Sequence, residues 1–258
     1  MKLRRDFFRH SFPVALLPIL VLAGMVSLVV YDCRNGKETW QRDLDGRVRE
    51  RIEALRLAHA VALAKQTTVK GFFEASEEVT EAEFITFAQN LNYPIQPIHD
   101  ALAWTPRVRA AEQAAFEAQQ RRSHPDFDIW EREPDGRRRA VSERDEYFPV
   151  AYLWIDQSEQ ALRGWDIASE PIRRKALEQA VVSGRPVMTD PLQLAPDVIE
   201  GAPLAWAYLI VTPVYSKGPP PQTAEERRER LAGFVDGPFY YGQILEGQLV
   251  SMPPYPLS

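Results

Sequence analysis

The hydrophobic pattern changes sharply after residue 31. Residues 12–31 contain no charged side chain. At about 1.5 Å per residue, a helix of this length spans a hydrocarbon core of roughly 30 Å. The segment is preceded by four cationic residues, Lys2, Arg4, Arg5 and Arg9. Because cationic flanks stay on the cytoplasmic side, the pattern predicts a cytoplasmic segment at 1–11, a single-pass signal anchor at 12–31 and an extracytoplasmic remainder.

A cleaved signal peptide is the alternative interpretation of the same segment. The apolar run exceeds the roughly 7–15 residues of a signal-peptide core, and the nearest small-residue pair, Ala23-Gly24, lies inside it. Tyr31 and Asp32 precede Cys33, where a lipoprotein signal would need small residues. These features favour the uncleaved anchor.

Residues 36–75 are the longest helical candidate after the anchor, since they lack proline and are rich in Arg, Glu, Leu and Ala. Seven positions recur at alternating steps of three and four: Ile52, Leu55, His59, Ala62, Gln66, Val69 and Phe73. This heptad spacing predicts a seam that packs either on a second chain or on the protein's own domain. Because the segment follows the anchor directly, a stalk helix that pairs with a second chain, as a homodimer or heterodimer, is the favoured interpretation.

Beyond the stalk, the period changes from helical to alternating. Thr80-x-x-Glu83 predicts the capped start of a helix, and a further helix is predicted over 106–122, with proline at its first turn. The predicted strands are 127–130, 147–155, 185–189, 204–215 and 231–239, with helices at 172–183, ended by Gly184, and at 240–249. Helices followed by short strands predict an α+β domain with an antiparallel, half-open sheet.

Charge and composition narrow the functional classes. Four of the 31 basic and one of the 36 acidic residues precede the apolar segment, so the exterior part carries 27 basic and 35 acidic residues, a net charge of −8. An acidic exterior argues against nucleic acid as a partner. The four histidines have no metal-ligand spacing, and no phosphate-binding or nucleophile motif occurs. We therefore expect neither a metal nor a cofactor.

Six short motifs occur in a characteristic order. They are Trp104-x-x-Arg107-Val108 with Phe116-Glu117, Arg144 to Val150 (RDEYFPV), Gly164-Trp165-Asp166, Ser183 to Thr189 (SGRPVMT), Thr212 to Tyr215 (TPVY) and Leu231 to Val235 (LAGFV). In these motifs, over roughly residues 40–250, the chain resembles the CHASE family. Its members are extracellular sensor domains of membrane receptors, including the plant cytokinin receptor kinases. Each motif is weak by itself, and their shared order is specific.

The resemblance implies a long N-terminal helix that carries two PAS-like modules. A CHASE-like sensor domain would then occupy 80–250, with a distal module at about 104–216 and a truncated proximal module at about 229–250. The family would continue into a second membrane span and a cytoplasmic output domain. Because the sequence stops soon after Leu249, we expect a fragment, a truncated receptor or a stand-alone sensor.

The resemblance also implies a ligand pocket over the sheet of the distal module. In the family's cytokinin receptors, an aspartate at the position of Asp166 accepts hydrogen bonds from the ligand. A backbone group at the position of Met188 faces the ligand. The adjoining strands would contribute Thr189, Val211 and Thr212 to the pocket.

Several of these residues have a second interpretation. Asp166 lies just before a helix, where an aspartate is a favoured N-cap. Trp154, Trp206 and Tyr208 lie on predicted strands, where they form either aromatic walls of the pocket or ordinary core. Met188 is either a pliable pocket floor or core filler.

The predicted function is a non-enzymatic, membrane-anchored sensor that binds a small ligand in the periplasm or outside the cell and takes part in signal transduction. One alternative is a membrane-tethered hydrolase that uses Asp126, Asp128 or Asp145, although no histidine or metal cluster assists these carboxylates. The other is a structural dimerisation module without a ligand.

Overall fold

The computed structural model describes residues 7–91, 101–133, 137–155, 162–193 and 206–240. The chain divides into two units, Met1–Glu53 and Ala54–Ser258, and helix α1 (Phe7–Ala75) contributes residues to both. Across these described ranges, no helix combines the length and the apolar character of a membrane span.

The second unit alternates helices and short strands. After α1, the described helices are α2 (Glu81–Asn90), α3 (Gln113–Gln120), α4 (Pro171–Ser183) and α5 (Ala224–Arg230). The strands are β1 (Ala101–Pro106), β2 (Val108–Arg109), β3 (Trp130–Arg132), β4 (Arg138–Ala140), β5 (Glu146–Tyr147), β6 (Tyr152–Ile155), β7 (Val187–Met188), β8 (Leu192–Gln193), β9 (Trp206–Tyr215) and β10 (Leu231–Tyr240). The architecture is the predicted α+β class, with a long helix and an antiparallel sheet.

One sheet contains six of these strands, in the order β6-β1-β10-β9-β7, with β8 also paired to β9. Strand β10 lies in its middle, where Val235 pairs with Trp104 of β1 on one side and with Thr212 of β9 on the other. A separate proximal module was predicted at about 229–250. For β10 this prediction is wrong, because β10 is hydrogen-bonded between β1 and β9 in the same sheet. Residues 241–250 lie outside the described residues.

Different helices cover the two faces of the sheet, because successive residues of a strand point to opposite sides. On one face, Val211 of β9 belongs to a buried core with Leu177 of α4. On the other face, Val214 packs in a core with Val69 of α1 and Phe84 of α2. We call these the α4 face and the α1 face.

The C-terminal part of α1 packs on its own sheet. Gln66 and Val69 are 3% and 0% exposed. Gln66 Nε2 donates to the Ile210 carbonyl at 2.9 Å, and Gln66 Oε1 accepts from the Thr212 hydroxyl at 2.7 Å. From Leu55 onward, the prediction that this seam pairs with a second chain is therefore wrong, and the alternative of packing on its own domain is correct.

Several local predictions are confirmed. Thr80 and Glu83 form the capping box that begins α2. Gly184 ends α4 with a φ of 68°, the left-handed conformation that favours glycine. Strands β9 and β10 fall where the apolar runs predicted them.

Other local predictions are wrong. The helix predicted over 106–122 shortens to α3, because Trp104 and Val108 on either side of Pro106 are buried in strands. The single strand predicted over 147–155 divides into β5 and β6. The helix predicted over 240–249 starts at the last residue of β10, and the rest of it lies outside the described residues.

Candidate functional site

An open cleft of about 1190 Å³ lies on the α4 face. Leu177 and Val181 of α4 line it together with Phe148, Leu231 and Phe234 from the β5–β6 segment and β10. Small-molecule sites in proteins typically have volumes of roughly 300–1,000 Å³ and largely apolar walls. The cleft therefore has the apolar lining of a ligand site, and its volume lies slightly above this range.

Both signs of charge surround this apolar lining. The charged residues along the cleft are Arg107, Arg144, Arg174, Arg228, Asp145, Glu146 and Glu178. Arg107 Nε donates to Glu146 at 2.6 Å, so these two charges satisfy each other. Asp145, Glu178 and Arg228 line the cleft as well. The rim thus offers both cationic and anionic groups to a ligand.

Arg144 connects the cleft to two buried carboxylates. Its guanidinium donates to Glu131 and to Asp166, which are 1% and 0% exposed. Burial raises the pKa of Glu131, but hydrogen bonds from Ser142 and Arg139 and the charge of Arg144 outweigh it, so this pKa lies below its ordinary value. Arg144 is consequently held in a fixed position at the edge of the cleft.

Asp166 does not line the cleft. One carboxylate oxygen accepts from the N–H groups of Phe148 at 2.9 Å and Ala168 at 3.2 Å, and the other accepts from Arg144. Burial raises its pKa, although the Phe148 N–H and the Arg144 charge act in the opposite direction. Asp166 is the N-cap of a 3-10 turn at Ile167–Ser169. The geometry corrects the predicted ligand contact, because the carboxylate is fully buried and both oxygens already have protein donors.

None of the eight predicted ligand-binding residues lines the cleft. On the α4 face, Val211 is core, and the Thr189 hydroxyl accepts from the Leu209 N–H at 2.9 Å. Met188 and Trp206 lie near the sheet edge and are 47% and 58% exposed. These positions supply structure or surface, not a shared pocket wall.

Trp154, Tyr208 and Thr212 lie on the α1 face of the sheet. Alternation puts Met188 and Trp206 on that side too, since Met188 pairs with Ile210 and Trp206 precedes Tyr208 by two residues. Trp154 is buried in the core beneath α1 and α2. The Tyr208 hydroxyl lies 3.2 Å from Nδ1 of His59, and Thr212 bonds to Gln66, both in α1. A single pocket that includes all eight residues is therefore excluded by strand alternation.

The residues that do line the cleft were not predicted from the sequence. Phe148 and Phe234 lie inside two of the quoted motifs, but the motifs gave no indication of the face to which each side chain points. A charged residue within an apolar strand is a stronger signal. Asp236 interrupts the run Leu231 to Phe239, and its 6% exposure shows that it is buried.

Metal binding has no visible support in the described ranges, where no three His, Cys, Asp or Glu side chains group together as ligands.

Two comparisons relate the chain to known proteins. The family model for the CHASE domain matches residues 77–254, more than half of the chain. Among solved structures, the periplasmic sensory domain of the Campylobacter jejuni chemoreceptor Tlp1 is similar, with a TM-score of 0.43 and 11% sequence identity. That match covers 79% of this chain and 60% of the chemoreceptor chain, which is less than two thirds of its length.

Proposed function

Because the chain belongs to the CHASE domain family, we propose that it is a membrane-anchored sensor that binds a small ligand outside the cytoplasm. The match over residues 77–254 carries the proposal, since CHASE domains are extracellular sensor domains. The cleft on the α4 face supports it, because the cleft is open and has a largely apolar lining.

The exposed apolar surface of α1 supports membrane anchoring at 12–31. Eight large apolar or aromatic side chains between Val21 and Tyr31 are 47% to 68% exposed. A continuous apolar surface of this kind marks contact with a membrane or another protein. The cationic residues before the segment favour a cytoplasmic N-terminus, with the sensor domain on the other side.

The outward face of α1 supports a second copy of this chain as partner. Opposite the sheet, six exposed residues recur at steps of four and three: Leu57, Val61, Ala64, Thr68, Gly71 and Ala75. None is charged, in a chain of which 26% is charged. Leu57 is 64% exposed, and a side chain at Gly71 would enter open space. We call these six residues the outward seam.

Heptad spacing of uncharged residues is typical of helices that pair in parallel. Two copies anchored in one membrane have this parallel orientation, so the same outward seam would meet itself across a two-fold axis. The sensor would then act as a homodimer in which a ligand biases the arrangement of the two helices.

Cysteine cross-linking tests the homodimer with a matched pair of variants. In a Cys33→Ser background, Thr68→Cys places a thiol in the outward seam, and Thr67→Cys places it about 100° around the helix. We expect mild oxidation in membranes to give disulfide-linked dimers of the Thr68→Cys protein and little of the Thr67→Cys protein. Equal cross-linking, or preferential cross-linking of Thr67→Cys, would contradict this interface.

A thermal-shift screen tests ligand binding. The full chain in lipid nanodiscs is incubated with a library of small polar and amphipathic compounds. We expect at least one compound to raise the unfolding temperature, because a ligand that binds only the folded state stabilises it. No shift with any compound would count against a sensor.

Blocking the cleft tests where such a compound binds. Val182 lines the cleft and is 50% exposed, whereas Lys175 lies on the same helix outside the cleft. We expect Val182→Trp to abolish the thermal shift and Lys175→Trp to preserve it. If the Val182→Trp protein retains the full shift, the ligand does not bind in this cleft.

A further inference from the structure

Three polar side chains are buried together on the α4 face, next to the cleft. Asp236, Arg173 and Trp165 are each 6% exposed. Asp236 lies two residues beyond Phe234 on the same face of β10, and Arg173 lies one turn before Leu177 on the same face of α4. We call Asp236, Arg173 and Trp165 the buried polar cluster. Since Phe234 and Leu177 line the cleft, this cluster adjoins the cleft wall.

The Asp236 carboxylate accepts only one weak hydrogen bond from the described residues. The Thr105 hydroxyl lies 3.3 Å from its carboxylate but also 3.1 Å from the Phe234 carbonyl. A hydroxyl has one proton and donates to only one of them at a time. Burial raises the pKa of Asp236 to about 7, against the lowering effects of the Arg173 charge and the Thr105 hydroxyl. The carboxyl group therefore retains capacity for a strong external donor.

Arg173 and Trp165 have buried N–H donors that lack acceptors. Arg173 Nη1 lies 3.3 Å from Glu170, whose carboxylate already accepts the N–H groups of Ile172 and Arg173 at 3.0 Å. Nε of Arg173 and Nε1 of Trp165 are buried without an acceptor among the described residues. The guanidinium lies 4.5 Å from the Trp165 ring centroid, so the two unused donors belong to neighbouring groups.

The Asp236 carboxylate and the unused N–H groups of Arg173 and Trp165 are not hydrogen-bonded to each other. The Arg173 charge acts on Asp236, yet within the described residues the ion pair of Arg173 is with Glu170. In the sheet, Asp236 is flanked by Ala103 of β1 and Val211 of β9, neither of which has a side-chain donor. Buried polar groups without partners cost free energy, and native proteins therefore pair most of them with protein groups, ordered water or bound ions.

We propose that the buried polar cluster binds a small amphoteric ligand of the α-amino acid class. The ligand carboxylate accepts from the Arg173 guanidinium and the Trp165 indole N–H, and the ligand ammonium group donates to Asp236. An α-amino acid carries both groups a few bonds apart, whereas a simple carboxylate or a simple amine satisfies only one side. The inference rests on the proposed sensor function and names the ligand class for it.

Isothermal titration tests the ligand class directly. The full chain in nanodiscs is titrated with each proteinogenic L-amino acid as the probe. The amino acid that binds most tightly is then compared with the matched carboxylate lacking the amino group and with the matched amine lacking the carboxylate. Each analogue is expected to bind at least about tenfold more weakly, because it leaves one buried group unpaired.

Two variants test the residues of the cluster. Asp236→Asn is expected to weaken binding of the amino acid at least about tenfold and to leave binding of the matched carboxylate unchanged. Arg173→Lys keeps the positive charge but removes Nε, and it is expected to weaken binding of both. Lys175→Gln, on the exposed side of α4 and outside the cleft, serves as the control with unchanged affinity. Circular dichroism establishes that each variant folds. If Asp236→Asn does not fold, Arg173→Lys alone decides the test.

The possible results separate this inference from the sensor function. If no amino acid binds while the library screen finds a ligand of another class, the sensor stands and this inference fails. Amino acid binding that neither variant weakens also overturns it. Absence of binding by any compound would count against both.

Discussion

Arg144 is the residue on which two buried charges depend. It is the cation shared by Glu131 and Asp166, and Asp166 in turn caps the turn that leads into α4. A buried carboxylate without a cation costs far more than the loss of an exposed pair, because water cannot replace the partner. The side chain therefore stabilises the loop that forms one edge of the cleft.

Arg144→Met should lower the free energy of unfolding by about 3–5 kcal/mol, since it leaves two buried carboxylates without their shared donor. Lys217→Met is the matched control, because it removes a pair with Glu77 in which both side chains are at least 60% exposed. We expect the control to cost less than about 1 kcal/mol. Denaturant unfolding measures both values, and equal small losses would show that Glu131 and Asp166 do not rely on Arg144.

At the scale of elements, α4 forms one wall of the cleft. Both ends of this helix are capped, the first by Glu170 and the last by Gly184. Glu170 accepts the first free N–H groups of the helix. At the other end, Arg227 of α5 donates to the carbonyls of Val181 and Val182 at 3.0 Å and 2.6 Å, and Gly184 ends the helix. The Arg227 contacts hold the C-terminal end of α4 against α5.

Gly184→Ala should destabilise the protein by about 1 kcal/mol or more, because a φ of 68° is unfavourable for alanine. A new Cβ would also approach the Cδ atom of Arg227 to 2.8 Å. Gly184→Asn separates these causes, since asparagine adds the same Cβ but tolerates the left-handed conformation. We expect its thermal unfolding midpoint to lie between those of wild type and Gly184→Ala. An Asn variant as unstable as the Ala variant would assign the effect to the Arg227 contact.

Elements with local signals were predictable from the sequence. The capping box at Thr80 and the glycine at 184 act within one turn of their helices, so the pattern is sufficient. The same signature at Thr223 and Glu226 begins α5, a helix that was not predicted from the sequence. The helix predicted to begin at Pro106 begins only at Gln113, because Val108 is buried in strand β2.

The site was less predictable than the fold. The alternation of Val211 and Thr212 was readable from the sequence, but the helix that covers each face depends on long-range packing. The role of Asp166 depends on Arg144, a residue 22 positions away in the chain that the sequence does not pair with it. Family motifs therefore located the correct strands and turns without identifying the side chains that line the cleft.

At the scale of the whole sensor domain, one sheet has two different faces. The α4 face has the cleft and the buried polar cluster, and the α1 face holds the C-terminal part of the long helix through Gln66 and Val69. Strands β9 and β10 contribute alternate residues to both. A ligand on the α4 face can bias α1 only to the extent that it binds one arrangement of this sheet more tightly than another.

Hydrogen–deuterium exchange of the full chain, with and without the compound that gives the largest thermal shift, tests most directly whether the ligand binds on the α4 face. We predict slower exchange in the segments at 144–148, 171–187 and 231–236, with α2 at Glu81–Asn90 unchanged. Protection confined to α1 and α2, with no change along α4, would contradict the account.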